Sequence, residues 1–189
     1  MTRFAELLDC PGVREAVVLR SPVGFMAIHG GSLERGTAEV AAAAADAGGA
    51  SLYTVEQPAD LRWHLPSHHI GPESSRALAA FLDHVDIVIS IHGYGREGWW
   101  TRILAGGADR ELAVEVSDGL RSVLPQYEIV DDMSVIPREL RGLHPDNPVN
   151  RARGGGVQLE LPPRIRGIGP NARAEATAAL VDGLAGIAA

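Results

Sequence analysis

Two histidines and one glutamate have the residue types and the spacing of a metal site. His29 ends an apolar run, two glycines follow it, and Glu34 lies five residues after it. His92 also ends an apolar run and precedes a glycine. Two imidazoles and one carboxylate, with a fourth position left for water, are a common ligand set of hydrolytic zinc. The spacing is equally compatible with two strand-end histidines and a solvated glutamate, so both interpretations stay open.

Hydrolysis at zinc also requires a base for the proton of the attacking water and a cation for the developing oxyanion. Glu160 is the candidate base, because it interrupts an otherwise apolar strand segment at residues 156–162. By strand alternation its side chain shares a face with Gln158, opposite Val157 and Leu159. A glutamate that faces solvent from a strand is the alternative interpretation of the same pattern.

Candidate cations lie in the glycine-rich approach to that strand. Arg151 and Arg153 could clamp a carboxylate or a carbonyl oxygen, since a guanidinium binds such groups through two parallel hydrogen bonds. Asn150 could donate to the same group, and Arg153 or Arg102 could take the place of Arg151. An irregular, proline-containing loop carries three histidines, His64, His68 and His69. They are alternative ligands, substrate contacts or plain loop residues, and His69 is the predicted substrate contact.

Two glycine motifs suggest other functions. A His-Gly-Gly turn after a strand is typical of the oxyanion turn of lipase-like hydrolases, but that interpretation needs a Gly-x-Ser-x-Gly elbow, which the sequence lacks. Residues 93–98 read Gly-Tyr-Gly-Arg-Glu-Gly, the spacing of a dinucleotide fingerprint. A helix must open at such a loop to meet the pyrophosphate, whereas residues 99–104 look like a strand. Because the glycine spacing is present, a non-catalytic nucleotide-binding module remains the alternative to a hydrolase.

Hydrophobic patterning predicts the elements that position these residues. Strands are expected at residues 15–20, 23–29, 50–56, 86–92, 101–107, 127–132 and 156–162, and helices at 37–49, 73–85, 108–124 and 172–189. This alternation indicates an α/β fold with one open mixed sheet between helices, in a single domain over residues 1–189. We expect the first two strands to form a hairpin at the sheet edge. Ligands bind at the carboxyl ends of strands in such sheets, where His29 and His92 fall.

Composition restricts the class of protein. The chain has 189 residues, of which 46% are apolar and 22% charged, as in ordinary globular domains. Its single cysteine, Cys10, excludes an intramolecular disulfide and a zinc site built from several thiolates. The formal net charge of −7 argues against a nucleic-acid partner. Neither a secretory signal nor a membrane-spanning run is visible, so we expect a cytoplasmic protein without a membrane partner.

Six segments, taken together, resemble the poly-γ-glutamate hydrolase family, zinc peptidases of bacteriophages and bacteria. They occur in the expected order at residues 28–37, 51–57, 61–74, 88–95, 103–107 and 150–161. The resemblance implies an open mixed sheet like that of zinc carboxypeptidases, in a smaller domain. It also implies that His29, Glu34 and His92 hold Zn²⁺ and that Glu160 is the general base. Asn150 and Arg151 would then grip a substrate carboxylate.

The expected activity is therefore zinc-dependent hydrolysis of γ-glutamyl amide bonds in a polyanionic peptide, with an amidase for N-acyl amino acids or cell-wall peptides as the alternative. An acidic protein needs a local group of arginines to bind a polyanion, and residues 151–166 are the predicted specificity surface. Two departures from the family pattern lie near the predicted groove. Residues 55–57 read Val-Glu-Gln where Phe-Glu-Gly is usual, and the histidine-rich loop lacks the acidic residue expected before its last proline.

Overall fold

The computed structural model describes residues 2–188, which form a seven-stranded sheet with helices on both faces. The strands are β1 (Arg14–Val18), β2 (Val23–Gly31), β3 (Ser51–Gln57), β4 (Ile87–Gly93), β5 (Arg102–Gly106), β6 (Glu128–Val130) and β7 (Gly156–Leu161). The helices are α1 (Arg3–Leu8), α2 (Thr37–Ala47), α3 (Arg76–His84), α4 (Arg110–Val123) and α5 (Ala174–Ala188). Patterning did not predict the short helix α1. No helix within residues 2–188 is both long and apolar enough to cross a bilayer.

The sheet is mixed, with the strand order β1-β3-β2-β4-β7-β5-β6. The adjacent strands β3, β2, β4 and β7 run parallel to one another. β1 is antiparallel to β3, β5 is antiparallel to β7, and β6 is parallel to β5. The open mixed α/β sheet that the sequence predicts is confirmed.

The predicted hairpin between the first two strands is wrong. β1 pairs with β3, with Val17 opposite Tyr53, and β3 lies between β1 and β2. Burial explains this arrangement, because most of β1 is exposed while residues 24–30 of β2 are all buried. A strand that is buried on both faces needs neighbours at both edges, whereas an exposed strand fits the edge of the sheet.

Helices cover the two faces of the sheet with different side chains. α2 and α4 pack on the face that carries Phe25, Ile89 and Val157, and α5 packs against both of these helices. α1 and α3 pack on the opposite face, which carries Met26 and Val88. The buried side of α2 is mostly alanine, so this helix can approach the sheet closely.

The parallel strands β2, β4 and β7 end side by side at one edge of the sheet. His92, near the end of β4, lies opposite Glu160 of β7. Strand alternation places both side chains on the face of Val88, under α1 and α3. His29 lies near the end of the neighbouring strand β2. The fold therefore gathers these candidate residues at the carboxyl edge of the sheet.

Candidate metal centre

An irregularity in β2 turns His29 toward the other candidate residues. Relative to β3, β2 contains one extra residue between Ala27 and Gly30, as in a β-bulge. Strict alternation would put the side chain of His29 on the face of Ala27, away from His92. Instead the ring centroids of His29 and His92 are 5.1 Å apart. Bulges of this kind re-aim a side chain beside an active site, and here the bulge brings two strands' histidines together.

Glu34 folds back from the loop after β2 and lies between the two imidazoles. Its amide nitrogen donates to the carbonyl of His29 at 2.9 Å, in a turn where Gly31 has a φ of 71° that favours glycine. One carboxylate oxygen lies 3.0 Å from Nδ1 of His29, and the other lies 3.4 Å from Nδ1 of His92. The second oxygen also accepts a 2.9 Å hydrogen bond from the amide of Gly93.

Electrostatics keep the Glu34 carboxyl in its charged form. Burial alone would raise the pKa of Glu34, but attraction to His29 and His92 and their hydrogen bonds outweigh it and hold that pKa well below its usual range. Burial lowers the pKa of His29, but the interaction with Glu34 and the hydrogen bond to the Leu65 carbonyl raise it overall. The carboxylate is thus ionised and flanked by two imidazole nitrogens, which is the charge state of a metal ligand.

His29 and His92 differ in the partner of their second ring nitrogen, Nε2. Nε2 of His29 lies 2.9 Å from the carbonyl oxygen of Leu65, so it donates there and leaves Nδ1 to face Glu34. Nε2 of His92 is buried and has no hydrogen-bond partner within residues 2–188. A buried polar atom without a partner is expensive in a purely structural role. This favours a functional reason for placing His92 here.

A third histidine approaches the same carboxylate from the loop after β3. Ligand atoms of His29, Glu34 and His64 all lie within 4.8 Å of one another, and the rings of His29 and His64 are 4.9 Å apart. His64 thus completes a set with His29 and Glu34 within this distance, whereas His92 contacts Glu34 through Nδ1 and lies outside that set. These nitrogen and carboxylate donors suit Zn²⁺, and the donor set fits a metal centre.

Glu160 is buried directly beside this cluster, only 4% exposed. Its Oε1 accepts a 2.9 Å hydrogen bond from the amide of Gln158. Burial and the repulsion of Glu34 raise the pKa of Glu160 well above its usual value, despite that hydrogen bond. A carboxyl with a raised pKa in a cleft is suited to proton transfer near neutral pH.

The structure does not bring the predicted arginines to this site. Arg151 lies 3.6 Å from the carboxylate of Glu73, and Arg153 lies 3.2 Å from that of Asp86. Both line a separate cleft next to α3. The prediction fails because residues 151–153 precede β7 and lie at its amino end, whereas Glu160 lies near its carboxyl end.

Asn150 acts as a brace between loops. Its side chain donates to the carbonyls of Gly142 and His144 at 2.7 and 2.9 Å, and accepts a hydrogen bond from the amide of Ala108 at 2.9 Å. The prediction that it contacts substrate therefore does not match its contacts, which use both ends of its amide. It acts instead on the loop that carries His144.

Two other predicted contacts also lie outside the cluster. His69 is exposed, and its ring contacts that of His68 at 4.3 Å; of the two, His68 lines the cleft. Arg102 pairs with Glu128 at 2.6 Å. The position of His69 depends on the path of an irregular segment, whereas Arg102 begins β5 and lies opposite Glu128 of β6.

The cleft in front of the cluster has a volume of about 640 Å³ and contains a cation that sequence reasoning missed. Arg138 lines it, together with His68, Leu143 and His144. Arg138 is exposed and forms no ion pair within residues 2–188. Its position inside the proline- and arginine-rich segment 133–155 was the only signal in the sequence.

Arg166, the last residue of the predicted specificity surface, lies behind the centre. Arg166 donates to the carbonyl oxygens of Leu161 at 3.1 Å, Tyr94 at 3.3 Å and Arg35. Its guanidinium packs directly against Gly93. Burial lowers the pKa of Arg166, and attraction to the two glutamates of the centre opposes this shift. It was expected at the border of a substrate-facing surface, yet it faces inward.

The glycine loop at residues 93–98 does not have the structure of a dinucleotide site. No helix opens from it within the described chain, and the next regular element is β5. The glycine amide that begins the loop instead donates to Glu34. This finding removes the structural basis for the nucleotide-binding alternative.

The fold and the cluster together define an α/β protein with a histidine–carboxylate centre at the carboxyl edge of its sheet. A family model described as poly-gamma-glutamate hydrolase matches residues 6–171, and the chain belongs to this family. The family resemblance found in the sequence is thereby confirmed.

Two curated relatives come from Bacillus subtilis (strain 168). The alignment with UPF0714 protein YndL is 31% identical over 144 residues and covers 75% of this chain and 53% of that protein. The alignment with SPbeta prophage-derived UPF0714 protein YoqZ is 31% identical over 139 residues and covers 72% of this chain and 47% of that protein. The chain thus spans about half the length of these relatives.

Two solved structures share the fold. One, described as a bacteriophage poly-gamma-glutamate hydrolase, has a TM-score of 0.74 and 23% identity over 96% of this chain and 93% of its own. The other, described as zinc-free apo YndL, has a TM-score of 0.67 and 29% identity over 82% of this chain and 73% of its own. The sheet and the helices described above are therefore those of the family.

Proposed function

We propose that this protein is a zinc-dependent hydrolase that cleaves γ-glutamyl amide bonds in a polyanionic peptide. One observation carries the proposal: the Glu34 carboxylate lies between Nδ1 of His29 and Nδ1 of His92, with the buried acid Glu160 beside them. Membership of the poly-gamma-glutamate hydrolase family supports the substrate class.

His29, Glu34 and His92 would hold the zinc ion, with His64, whose ligand atom lies within 4.8 Å of those of His29 and Glu34, as a further donor. When bound, Zn²⁺ polarises the scissile carbonyl and lowers the pKa of a bound water toward about 7. The Leu65 carbonyl fixes the orientation of His29, and the Gly93 amide fixes that of Glu34. Such supporting hydrogen bonds aim ligand atoms at a metal. The YndL structure described as zinc-free supports zinc as the metal of a relative.

Glu160 would take the proton of the attacking water and deliver it to the leaving amine. Its Oε1 is engaged by Gln158, so Oε2 is the oxygen available for the proton. The raised pKa of Glu160 suits a group that must accept a proton and later release it. The buried position keeps bulk water from competing for this proton.

Arg138 would bind a carboxylate of the substrate or the developing oxyanion, in the role that the sequence assigned to Arg151. It lines the cleft and its guanidinium is free of ion pairs within the described chain. The formal net charge of −7 repels a polyanion at long range. A cation inside the cleft therefore has to supply the local attraction.

Metal analysis and a cleavage assay test the proposal. We expect about one zinc per chain and cleavage of γ-linked polyglutamate in preference to α-linked polyglutamate or short N-acyl amino acids. His92→Ala should lose zinc and activity together, whereas Glu160→Gln should keep zinc and lose turnover by a factor of about 10²–10⁴. Wild-type protein without zinc and without hydrolysis would overturn the proposal, as would undiminished turnover in Glu160→Gln. Preference for the N-acyl substrates would support the amidase alternative.

A further inference from the structure

The side-chain amides of Asn147 and Gln158 form a buried chain of hydrogen bonds that ends at Glu160. The side-chain nitrogen of Asn147 donates to Oε1 of Gln158 at 2.8 Å. The nitrogen of Gln158 in turn donates to Oε1 of Glu160 at 2.9 Å. All three side chains are at most 4% exposed, so water does not readily replace these bonds.

The backbone fixes the direction of this chain. Oδ1 of Asn147 accepts from the amide of Val149 at 3.4 Å, so the nitrogen of Asn147 must point toward Gln158. Gln158 then has to accept with its oxygen, which aims its nitrogen at the carboxyl of Glu160. Reversing either amide would place two acceptors or two donors face to face. Each orientation therefore follows from the one before it.

The loop beside Gln158 leaves its amide little room to move. Gly142 has a φ of 65°, and a Cβ added there would lie 2.6 Å from Oε1 of Gln158. The backbone of this loop thus rests against the amide, and the carbonyl of Leu140 lies 3.5 Å from its nitrogen. Gln158 is held between the loop and the strand it belongs to.

Resting on the proposed function, we propose that Gln158 is a positioning residue for Glu160, locked in place by Asn147. Its amide holds Oε1 of Glu160, so that Oε2 faces the site of the attacking water. Gln158 supplies the only hydrogen bond to the Glu160 carboxyl within the described chain. Without it the carboxyl could rotate, and the geometry of proton transfer would be lost. Pre-set geometry of a catalytic group is worth large factors in rate.

Gln158→Met tests this role, because methionine has a similar length and no N–H donor. We expect kcat on γ-linked polyglutamate to fall by about 10- to 100-fold, while KM and bound zinc stay within about twofold. Asn147→Asp is the second variant, since an aspartate cannot donate to Oε1 of Gln158, and we expect a similar fall in kcat. The double variant should be no slower than Gln158→Met alone, because both changes act through one contact.

Several outcomes separate this inference from the proposed function. If kcat of Gln158→Met stays within twofold of wild type while Glu160→Gln is inactive, the positioning role is refuted and the hydrolase proposal stands. If zinc is lost in step with kcat, or if KM rises as kcat falls, Gln158 acts on the whole site and the role is also refuted. If Gln158→Met does not fold, the kcat of Asn147→Asp decides between the same results. Wild-type protein without zinc and without hydrolysis overturns both proposals.

Discussion

Replacing Gly93 with alanine should disturb the candidate metal centre from behind, without replacing any candidate ligand. A Cβ at this position would lie 2.6 Å from both Cζ and Nη1 of Arg166. Real Cβ atoms are not found this close to other heavy atoms, so either the arginine or the end of β4 must move. Arg166 resists movement because it donates to three backbone carbonyls. Gly93 itself has no positive φ, so the effect arises from the contact and not from the backbone conformation.

The size of the effect follows from what has to break. If Arg166 moves, it gives up at least one hydrogen bond from a charged donor, worth about 1.5–3 kcal/mol. For a protein of this size each kcal/mol lowers Tm by about 2–4 °C, so we expect a fall of roughly 3–12 °C. If β4 moves instead, the amide of Gly93 leaves Glu34, and the loss of such a supporting bond weakens metal affinity by about 10- to 100-fold.

Thermal unfolding and zinc competition against a chelator measure the two responses. Gly95→Ala is the matched control, because nothing lies within 4 Å of a Cβ at that position. A double variant adds a second check: in an Arg166→Ala background the clash is absent, so Gly93→Ala should cost much less. If Gly93→Ala matches Gly95→Ala in both Tm and zinc affinity, the close packing of Arg166 behind the centre does not matter and the reasoning is refuted.

Three further predictions concern the charges in and around the cleft. Arg138→Met should raise KM for γ-linked polyglutamate roughly tenfold or more, because the substrate loses one hydrogen bond from a charged donor. Arg151→Met should leave KM within about twofold, and equal effects of the two variants in steady-state kinetics would contradict this prediction. The pKa of Glu34 is depressed in the folded state, so in chelator-treated protein its contribution to stability should be present above about pH 4.5, its ordinary pKa, and should be lost as the pH falls below that value. Urea titrations in acid measure whether stability falls in this direction. The pKa of Glu160 is raised in the folded state, so its contribution to the free energy of unfolding falls as the pH rises above 4.5. The stability of chelator-treated Glu160→Gln should therefore increase relative to that of wild type between pH 4.5 and pH 7. A difference in stability that does not change with pH would contradict the raised pKa.

Strand positions made much of the centre predictable. His29 and His92 end apolar runs, and parallel strands in an α/β sheet end at one edge, so their placement at a common edge follows from the order of elements. Glu160 follows from alternation, which separates it from the apolar side chains of β7. None of these inferences requires knowing how a loop folds, which is why they agree with the positions found.

Positions that depend on irregular backbone were not predictable. The extra residue in β2 reverses the face of His29, and no sequence pattern marks it beyond the neighbouring glycines. Arg138 and Arg151 both belong to the segment 133–155, and the path of its 3₁₀ turns carries Arg138 to the cleft, while Arg151 lies at the amino end of β7. The hairpin prediction failed for a different reason, because local sequence proximity says nothing about a third strand inserting between two neighbours.

The charges of the centre explain why its atoms suit both protons and a metal. Two buried carboxyls, Glu34 and Glu160, face two imidazoles and the guanidinium of Arg166. The hydrogen bonds of Arg166 go to backbone carbonyls, so it acts on the carboxyls only through its field. The pKa of Glu160 is raised because burial and the charge of Glu34 outweigh the opposing effects of the Gln158 hydrogen bond and of Arg166. A divalent cation held by the candidate ligands would add positive charge and so favour the ionised form of Glu160. The depressed pKa of Glu34 therefore follows from the two imidazoles beside it, and the raised pKa of Glu160 follows from its burial and from the negative charge of Glu34.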